Sequence, residues 1–307
     1  MKLWGILGAN GKPPVKFRGQ AAFVHSETGY AVGMTADDAS FSITRAAPGA
    51  PATALVFASP HSGDRYPEDL GSTSGLTLSS LRSAEDVLVG RLVEDGPAQG
   101  APLIEGRIGR AYVDLNRDPA DLDPVLIEGA DEASGPKTAA GYGVLPRLTG
   151  DGAALYDRRL GLAEARARIT DVHAPYHAAL AELMQAAHDR HGRALLIDWH
   201  SMPSRAAGVE VVLGDRHGSA CGARLTRRLR AEFERLGWRV ALNHPYAGGW
   251  STQRWGRPDA GFEAIQIELS RRLYLDETTL APNAAWSATR RAVGRVIAAL
   301  CAENWSA

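Results

Sequence analysis

Short apolar runs that end abruptly in polar residues recur along the chain from residue 54 onward. Residues 54–58, 194–198 and 265–269 are the clearest of these runs. Runs of this length are typical of strands that are buried on both faces of a sheet. Each run is followed directly by polar residues, so polar loops are predicted at the carboxyl ends of the strands. In open α/β sheets, ligands bind at that edge.

Between the predicted strands, apolar residues recur at spacings of three and four, which is typical of helices. This spacing predicts helices over residues 86–93, 156–191 with an interruption near Pro175, 219–236 and 285–302. Residues 111–115 and 210–214 are predicted as two further strands. Strands that alternate with helices indicate a mostly parallel sheet covered on both sides, so residues 51–307 are expected to form a single α/β domain.

Two segments lack a regular pattern. Residues 1–50 are rich in Gly, Ala and Ser, and we expect an N-terminal extension or a peripheral arm there. Residues 120–155 are rich in Gly, Asp and Pro. A loop this long inside a compact domain is usually functional or mobile.

Composition excludes several classes of protein. The 307 residues carry a formal net charge of -1, so no global field favours nucleic acid or an anionic membrane. Two cysteines exclude a disulfide framework and a cysteine-rich zinc site. No run reaches the roughly 18 apolar residues of a membrane span. We therefore expect a cytoplasmic protein that acts on a small molecule, and the sequence leaves its oligomeric state open.

Three predicted strand ends carry residues of catalytic chemistry, namely His61, His200 and Glu268. Hydrolytic zinc sites use three histidine or carboxylate ligands and leave one position for water. His61 and His200 are candidate ligands, and the third is either Asp64 or Asp86. Glu268 is a candidate general base. The alternative is that Glu268 forms an ion pair with one of the arginines that follow it.

Other polar residues near the strand ends suggest binding roles. Asn116 and Arg117 suggest recognition of an anion, because an arginine fork holds a carboxylate at two points. Alternatively, Arg117 pairs with an aspartate at a surface turn. Asp198 lies two residues before His200 and is a candidate for orienting a histidine. The histidines at 173, 177, 188 and 191 are interpreted as surface residues.

Taken together, six blocks resemble the N-formylglutamate amidohydrolase family, in the family's order over roughly residues 52–280. They are residues 59–63 (SPHSG), 109–117 (GRAYVDLNR), 197–203 (IDWHSMP), 213–218 (LGDRHG), 243–249 (NHPYAGG) and 266–274 (QIELSRRLY).

The resemblance implies a three-layer fold like that of zinc carboxypeptidases and aspartoacylase, with a twisted mixed sheet between helices and a single zinc ion. His61 and His200 match the family's metal-binding histidines, and its aspartate at the start of the next helix favours Asp86 over Asp64. Asn116 and Arg117 look like the pair that grips the substrate carboxylate. Arg271 is implied as a second carboxylate contact, and Glu268 looks like the catalytic glutamate.

The implied reaction is the hydrolysis of N-formyl-L-glutamate to formate and glutamate, the closing step of one route of histidine degradation. Two alternatives remain. The same fold and metal could act on a peptide C-terminus or an N-acyl aspartate. From another class, an inactive binding protein could hold a dicarboxylate through Arg117 and Arg271 without any metal. The partner is in each case a molecule with carboxylates, and neither nucleic acid nor membrane is expected.

Overall fold

The computed structural model describes residues 39–131 and 135–305, which contain a seven-stranded sheet. The strands are β1 Phe41–Thr44, β2 Leu55–Ser59, β3 Leu103–Gly106, β4 Ile127–Glu128, β5 Leu160–Gly161, β6 Ala194–Met202, β7 Val211–Gly214, β8 Val240–Leu242, β9 Phe262–Ser270, β10 Leu275–Asp276 and β11 Ala281–Pro282. The seven-stranded sheet has the order β1-β3-β2-β6-β9-β7-β8. Two short ribbons pair β4 with β5 and β10 with β11.

The direction of the strands confirms the predicted mixed, mostly parallel sheet. β2 pairs in parallel with β3 and β6, β6 with β9, and β7 with β8. Only the β1–β3 and β7–β9 pairs of this sheet are antiparallel. The central strands β2, β6 and β9 are buried along their whole length, which explains why they read as continuous apolar runs.

Helices cover both faces of the sheet. They are α1 Leu78–Arg82, α2 Val89–Val93, α3 Pro136–Ala139, α4 Leu162–Arg168, α5 Ala174–His191, α6 Ala223–Arg235, α7 Trp250–Trp255 and α8 Trp286–Cys301. Single turns of 3₁₀ helix span Glu68–Leu70, Pro97–Gln99, Pro258–Ala260 and Arg271–Leu273.

Two hydrophobic cores lie on opposite faces of the sheet. Because side chains alternate along a strand, Leu55 and Phe57 enter one core while Val56 and Ala58 enter the other. The first core includes buried residues of α2, α6 and α8, and the second includes buried residues of α5. Burying one such large apolar side chain contributes roughly 1.5–3 kcal/mol to folding. The two cores confirm the three-layer arrangement of helices, sheet and helices.

The parallel register of β6 and β9 places residues of interest side by side. His200 lies opposite Glu268, and Asp198 lies opposite Gln266. Neighbouring strands are about 4.8 Å apart. The two carboxyl-terminal strand ends therefore bring a candidate metal ligand and the candidate base to the same point of the sheet edge.

Two predicted elements differ from the structure. Residues 111–115 are buried but do not form a strand, because the chain turns there and Asp114 N donates to Val144 O at 2.7 Å, outside the sheet. The predicted helix over 156–191 begins at Leu162 and is not interrupted at Pro175. A π-helical segment, Ile169–His173, connects α4 to α5, so that the proline falls in the first turn of α5, where its missing N–H is tolerated.

An N-terminal extension is expected over residues 1–50, of which residues 1–38 lie outside the described part of the chain. Within residues 39–50, Phe41–Thr44 forms the edge strand β1, paired with β3. Among the described helices, none is both long and apolar enough to cross a bilayer.

Candidate active site

Three side chains converge at the carboxyl edge of the sheet. His61 follows β2, Asp86 lies just before α2, and His200 is on β6, and all three are buried. Asp86 Oδ2 lies 3.3 Å from His61 Nδ1 and 2.9 Å from His200 Nδ1. The two Nδ1 atoms are 3.1 Å apart. The structure therefore brings together the three residues that the sequence analysis favoured as metal ligands.

The spacing of these atoms fits a small divalent metal. Zinc–ligand distances of 2.0–2.1 Å place neighbouring ligand atoms of a tetrahedron about 3.3 Å apart. The three measured separations are close to this value, so the atoms outline one face of a tetrahedron. Two imidazoles and a carboxylate also form a common ligand set of hydrolytic metal sites.

Asp64 does not join this group. Its side chain is 64% exposed, and its nearest cationic partner is Arg82 at 3.9 Å. Asp86 is instead held in place by Ser201, whose Oγ donates to Asp86 Oδ1 at 3.0 Å. The structure thus favours Asp86 between the two acids that the residues alone left open.

Each histidine of the group is oriented by a second carboxylate. His61 Nε2 lies 2.7 Å from Asp114 Oδ1, and His200 Nε2 lies 3.0 Å from Asp198 Oδ2. When each Nε2 carries the proton, both Nδ1 atoms keep a lone pair that faces Asp86. Carboxylate–histidine pairs of this kind fix the ring and its tautomer in metal sites. The expected orienting role of Asp198 agrees with this geometry, and Asp114 adds a residue that the sequence analysis did not identify.

The electrostatics of the group favour a positive charge. Burial lowers the pKa of the His200 imidazole, but the nearby Asp198 and Asp86 carboxylates outweigh burial and raise that pKa well above its ordinary value. Burial likewise raises the pKa of the Asp114 carboxyl, but Arg110 and His61 hold it well below its usual range. The Asp114 carboxylate therefore stays ionised, and a cation bound beside it would balance the negative charge of the group.

Arg271 holds the loop that carries Asp86. Its Nη1 and Nη2 donate to the carbonyls of Ser83 and Glu85, at 3.0 and 2.6 Å, and its Nε donates to Ser201 Oγ at 3.2 Å. All three nitrogens thus bind protein atoms. The residue lines the cavity, but this geometry favours a positioning role over the expected contact with a substrate carboxylate.

Glu268 is buried beside this group and lines the same cavity. Gln266 Nε2 donates to Glu268 Oε1 at 2.7 Å, and Gln266 Oε1 accepts from Gly249 N at 2.8 Å. Burial raises the pKa of the Glu268 carboxyl to about 7, although His200 lowers it. A carboxyl with such a pKa can take up and release a proton at neutral pH. The alternative ion pairs are not formed, because Arg272 binds Glu210 and Arg271 binds the Asp86 loop.

Asn116 is buried between the strand ends and connects several of these residues. Its Nδ2 donates to Gln266 Oε1 at 3.3 Å and to Asp198 Oδ2 at 3.4 Å, and its Oδ1 accepts from Ser251 N at 2.9 Å. A Cβ on Gly249 would lie 2.4 Å from Asn116 Nδ2, so this position requires glycine. Asn116 therefore ties the loop before α7 to the candidate metal-ligand group, which consists of His61, Asp86 and His200.

Arg117 is half-buried at the cavity and makes no ion pair with the described residues. Its Nε donates to Tyr142 O at 2.9 Å and its Nη1 to Asn116 O at 3.1 Å, so its Nη2 keeps its donor capacity. The alternative, an ion pair between Arg117 and a neighbouring aspartate, is therefore not formed among the described residues.

The interpretation of His173 and His177 as surface residues is wrong. Both are buried, and their Nε2 atoms bind the carbonyls of Arg117 at 2.9 Å and Leu115 at 2.7 Å. Their spacing of four residues places them on one face of the helix, where they support the segment that carries Asn116. Only this spacing could have indicated their role from the sequence.

The metal-ligand group opens into a cavity of about 300 Å³. The irregular stretch 120–155 contributes part of its wall, as expected of a functional loop. Lining residues that the sequence analysis missed are Arg110, Lys137, Tyr142, Tyr246 and Gln266. Arg110, Tyr246 and Gln266 lie within the blocks that resemble the family, whereas Lys137 and Tyr142 lie in the irregular stretch, where no local pattern marks them.

Comparison with known proteins identifies the family. The family model for N-formylglutamate amidohydrolase matches residues 53–275. An N-formylglutamate deformylase of Pseudomonas aeruginosa is 30% identical over 233 residues, covering 73% of this chain and 82% of that protein. A protein of the same name from Pseudomonas putida is 27% identical over 235 residues, with the same coverage of both chains.

Solved structures agree. The crystal structure of N-formylglutamate amidohydrolase from Ralstonia eutropha JMP134 superposes with a TM-score of 0.80 at 33% identity, over 85% of this chain and 96% of that one. A gene product of Agrobacterium tumefaciens shares the fold at a TM-score of 0.59 and 21% identity, with the same coverage. The chain described here is thus a hydrolase that belongs to the N-formylglutamate amidohydrolase family.

Proposed function

We propose that this protein is a zinc-dependent deformylase that hydrolyses N-formyl-L-glutamate to formate and glutamate. The observation that carries the proposal is the group formed by His61, Asp86 and His200, with Glu268 on the adjacent strand. The names of its relatives supply the substrate. The reaction corresponds to the closing step of a histidine-degradation route. A cytoplasmic location is in keeping with two buried cysteines that form no disulfide.

The metal would be held by His61 Nδ1, His200 Nδ1 and Asp86 Oδ2. When bound, zinc supplies a Lewis acid that polarises the formyl carbonyl and lowers the pKa of water toward about 7. The His/carboxylate/His set suits zinc, because neither sulfur ligands nor a cage of oxygen ligands is present among the described residues around it.

Glu268 would act as the general base and then as the general acid. Its carboxylate takes the proton from the attacking water and returns it to the departing amine nitrogen. Gln266 holds one carboxylate oxygen, so the other faces the cavity in a defined orientation. Arg117 would orient the substrate by binding its α-carboxylate through Nη2, while Asn116 keeps that segment close to the metal ligands.

Formate release from N-formyl-L-glutamate tests the proposed function. The purified protein should release formate, lose activity after chelation and regain it when zinc is restored. Assays with N-acetyl-aspartate and with peptides test the two alternative substrates. Calorimetry of the chelated protein with glutamate tests the other alternative, an inactive protein that binds a dicarboxylate without any metal. An inactive zinc-loaded protein would contradict the proposed substrate.

Weakening the support of one histidine should weaken metal binding. In Asp198→Asn, His200 Nε2 loses a charged acceptor, and we expect the zinc affinity to fall about 10- to 100-fold, as is usual for such partners. Competition with a chromophoric chelator measures the change. Asp189→Asn is the matched control, because that side chain is 68% exposed on α5. Equal affinities of both variants would show that Asp198 does not orient the ligand.

A further inference from the structure

Lys137 is a cation of the cavity that has no partner in the protein. It lies on α3 and lines the same cavity as the metal-ligand group. Its ammonium makes no hydrogen bond or ion pair with the described residues, although the negative charges of Glu268 and Asp114 lie near enough to raise its pKa. The chain has four lysines, and Lys137 is the one that falls within the described ranges.

The other cations of the cavity are largely engaged by the protein. Arg271 uses its three nitrogens to hold the Asp86 loop. Arg110 donates to Asp114 Oδ2 at 2.6 Å and to Ala84 O at 3.1 Å. Nη2 of Arg117 and the ammonium of Lys137 make no hydrogen bond with the described residues, so both keep donor capacity for a ligand.

Tyr142 ties these two groups together through its backbone. Its N–H donates to Lys137 O at 2.8 Å, and its carbonyl accepts from Arg117 Nε at 2.9 Å. The turn is fixed further by Arg147, which donates to Ala139 O and to Asp123 Oδ2. Lys137 therefore projects from an anchored turn, and its position relative to Arg117 is set by the fold.

The surroundings of Lys137 favour an anion. Partial burial lowers the pKa of its ammonium, and the neighbouring positive charges of Arg117 and Arg110 lower it further. Arg117 and Lys137 have no ion-pair partner among the described residues, so their positive charges repel each other, and a bound carboxylate relieves this repulsion. A carboxylate that enters this part of the cavity thus gains from several cations at once.

We propose that Lys137 binds the side-chain carboxylate of the substrate and thereby selects N-acyl amino acids with an acidic side chain. This inference rests on the proposed function, in which Arg117 binds the α-carboxylate. Arg117 directly follows Asn116, whose side chain lies beside His200. Arg117 would therefore bind the α-carboxylate, which is next to the scissile amide. Lys137 lies on α3 and is linked to Arg117 through the backbone of Tyr142. It would bind the side-chain carboxylate, which lies two carbons further from the α-carbon than the α-carboxylate does.

The test compares N-formyl-L-glutamate with N-formyl-L-glutamine, whose side chain has the same shape without the charge. In Lys137→Met, we expect kcat/KM for N-formyl-L-glutamate to fall about 10- to 100-fold, the usual worth of a hydrogen bond to a charged group. The loss should appear mainly in KM. Activity on N-formyl-L-glutamine should change less than about threefold, so the preference for the acidic substrate collapses. Lys137→Arg should retain most of the preference.

Arg166→Met is the matched control, because Arg166 is exposed on α4 and its loss changes the net charge equally. A comparable loss in this variant would indicate a general effect of charge. An equal fall for both substrates in Lys137→Met, or no fall, would overturn the proposal.

A binding measurement separates this inference from the proposed function. Calorimetry with L-glutamate and L-glutamine needs no turnover, so it remains informative if the wild type fails to release formate. The wild type should bind glutamate more tightly than glutamine, and Lys137→Met should bind the two alike. Equal binding by the wild type would refute the role of Lys137, whereas the absence of formate release alone would refute only the substrate.

Discussion

Replacing Glu268 by glutamine is expected to lower kcat/KM for N-formyl-L-glutamate by about 100- to 10,000-fold, the range that a positioned general acid–base contributes. The amide cannot take a proton from water, but its oxygen can still accept the hydrogen bond from Gln266 Nε2. The cavity should therefore keep its shape. A continuous assay of formate over a range of substrate concentrations measures the loss.

Zinc content distinguishes this loss from damage to the metal site. Because Glu268 is not one of the three proposed ligands, the glutamine variant should bind as much zinc as the wild type. Glu277→Gln, at an exposed position, is the matched control and should keep full activity. Turnover close to that of the wild type in the Glu268 variant would mean that another group is the base.

Replacing Asp86 by asparagine is expected to remove most of the metal and, with it, the activity. Removing one partner of a buried charged group costs about 3–5 kcal/mol, which corresponds to about a 150- to 5,000-fold loss of metal affinity. Asp86 Oδ2 contacts both histidines, and it is the carboxylate that completes the His61, Asp86 and His200 cluster among the described residues. Metal analysis of the dialysed protein, together with the formate assay, measures both effects.

Asp64→Asn is the informative control for this experiment. It makes the same chemical change at the other candidate acid, whose side chain is exposed and 3.9 Å from Arg82. We expect its metal content and activity to match those of the wild type. The opposite pattern, with metal lost from the Asp64 variant and kept by the Asp86 variant, would mean that the ligand assignment is wrong.

Much of the fold could be predicted because the central strands are buried on both faces. Residues 54–58, 194–198 and 265–269 read as continuous apolar runs for that reason, and their polar ends marked His61, His200 and Glu268. Residues 111–115 show the limit of this argument. They are as buried as a strand, but their backbone bonds go to residues such as Val144, so apolar character alone could not distinguish a buried turn from a strand.

The rest of the site could not be predicted because it depends on contacts between distant parts of the chain. Asp114 lies 53 residues from His61, and the carbonyl of Tyr142 that holds Arg117 is 25 residues away. No regular spacing in the sequence predicts such pairs. His173 and His177 were misread for a related reason: a polar side chain on a helix reads as exposed unless its buried backbone partner is known.

The shared register of His200 and Glu268 has a consequence for how relatives can diverge. Both residues belong to long central strands whose pairing cannot slip by one position without turning every core side chain to the wrong face. The relative position of this proposed ligand and this proposed base is therefore fixed by the core of the protein. Lys137 and Tyr142, in contrast, belong to a connecting segment between strands, where insertions and exchanges are tolerated. If Lys137 selects the substrate as proposed, exchanges in that segment can change the substrate preference without altering His200 or Glu268.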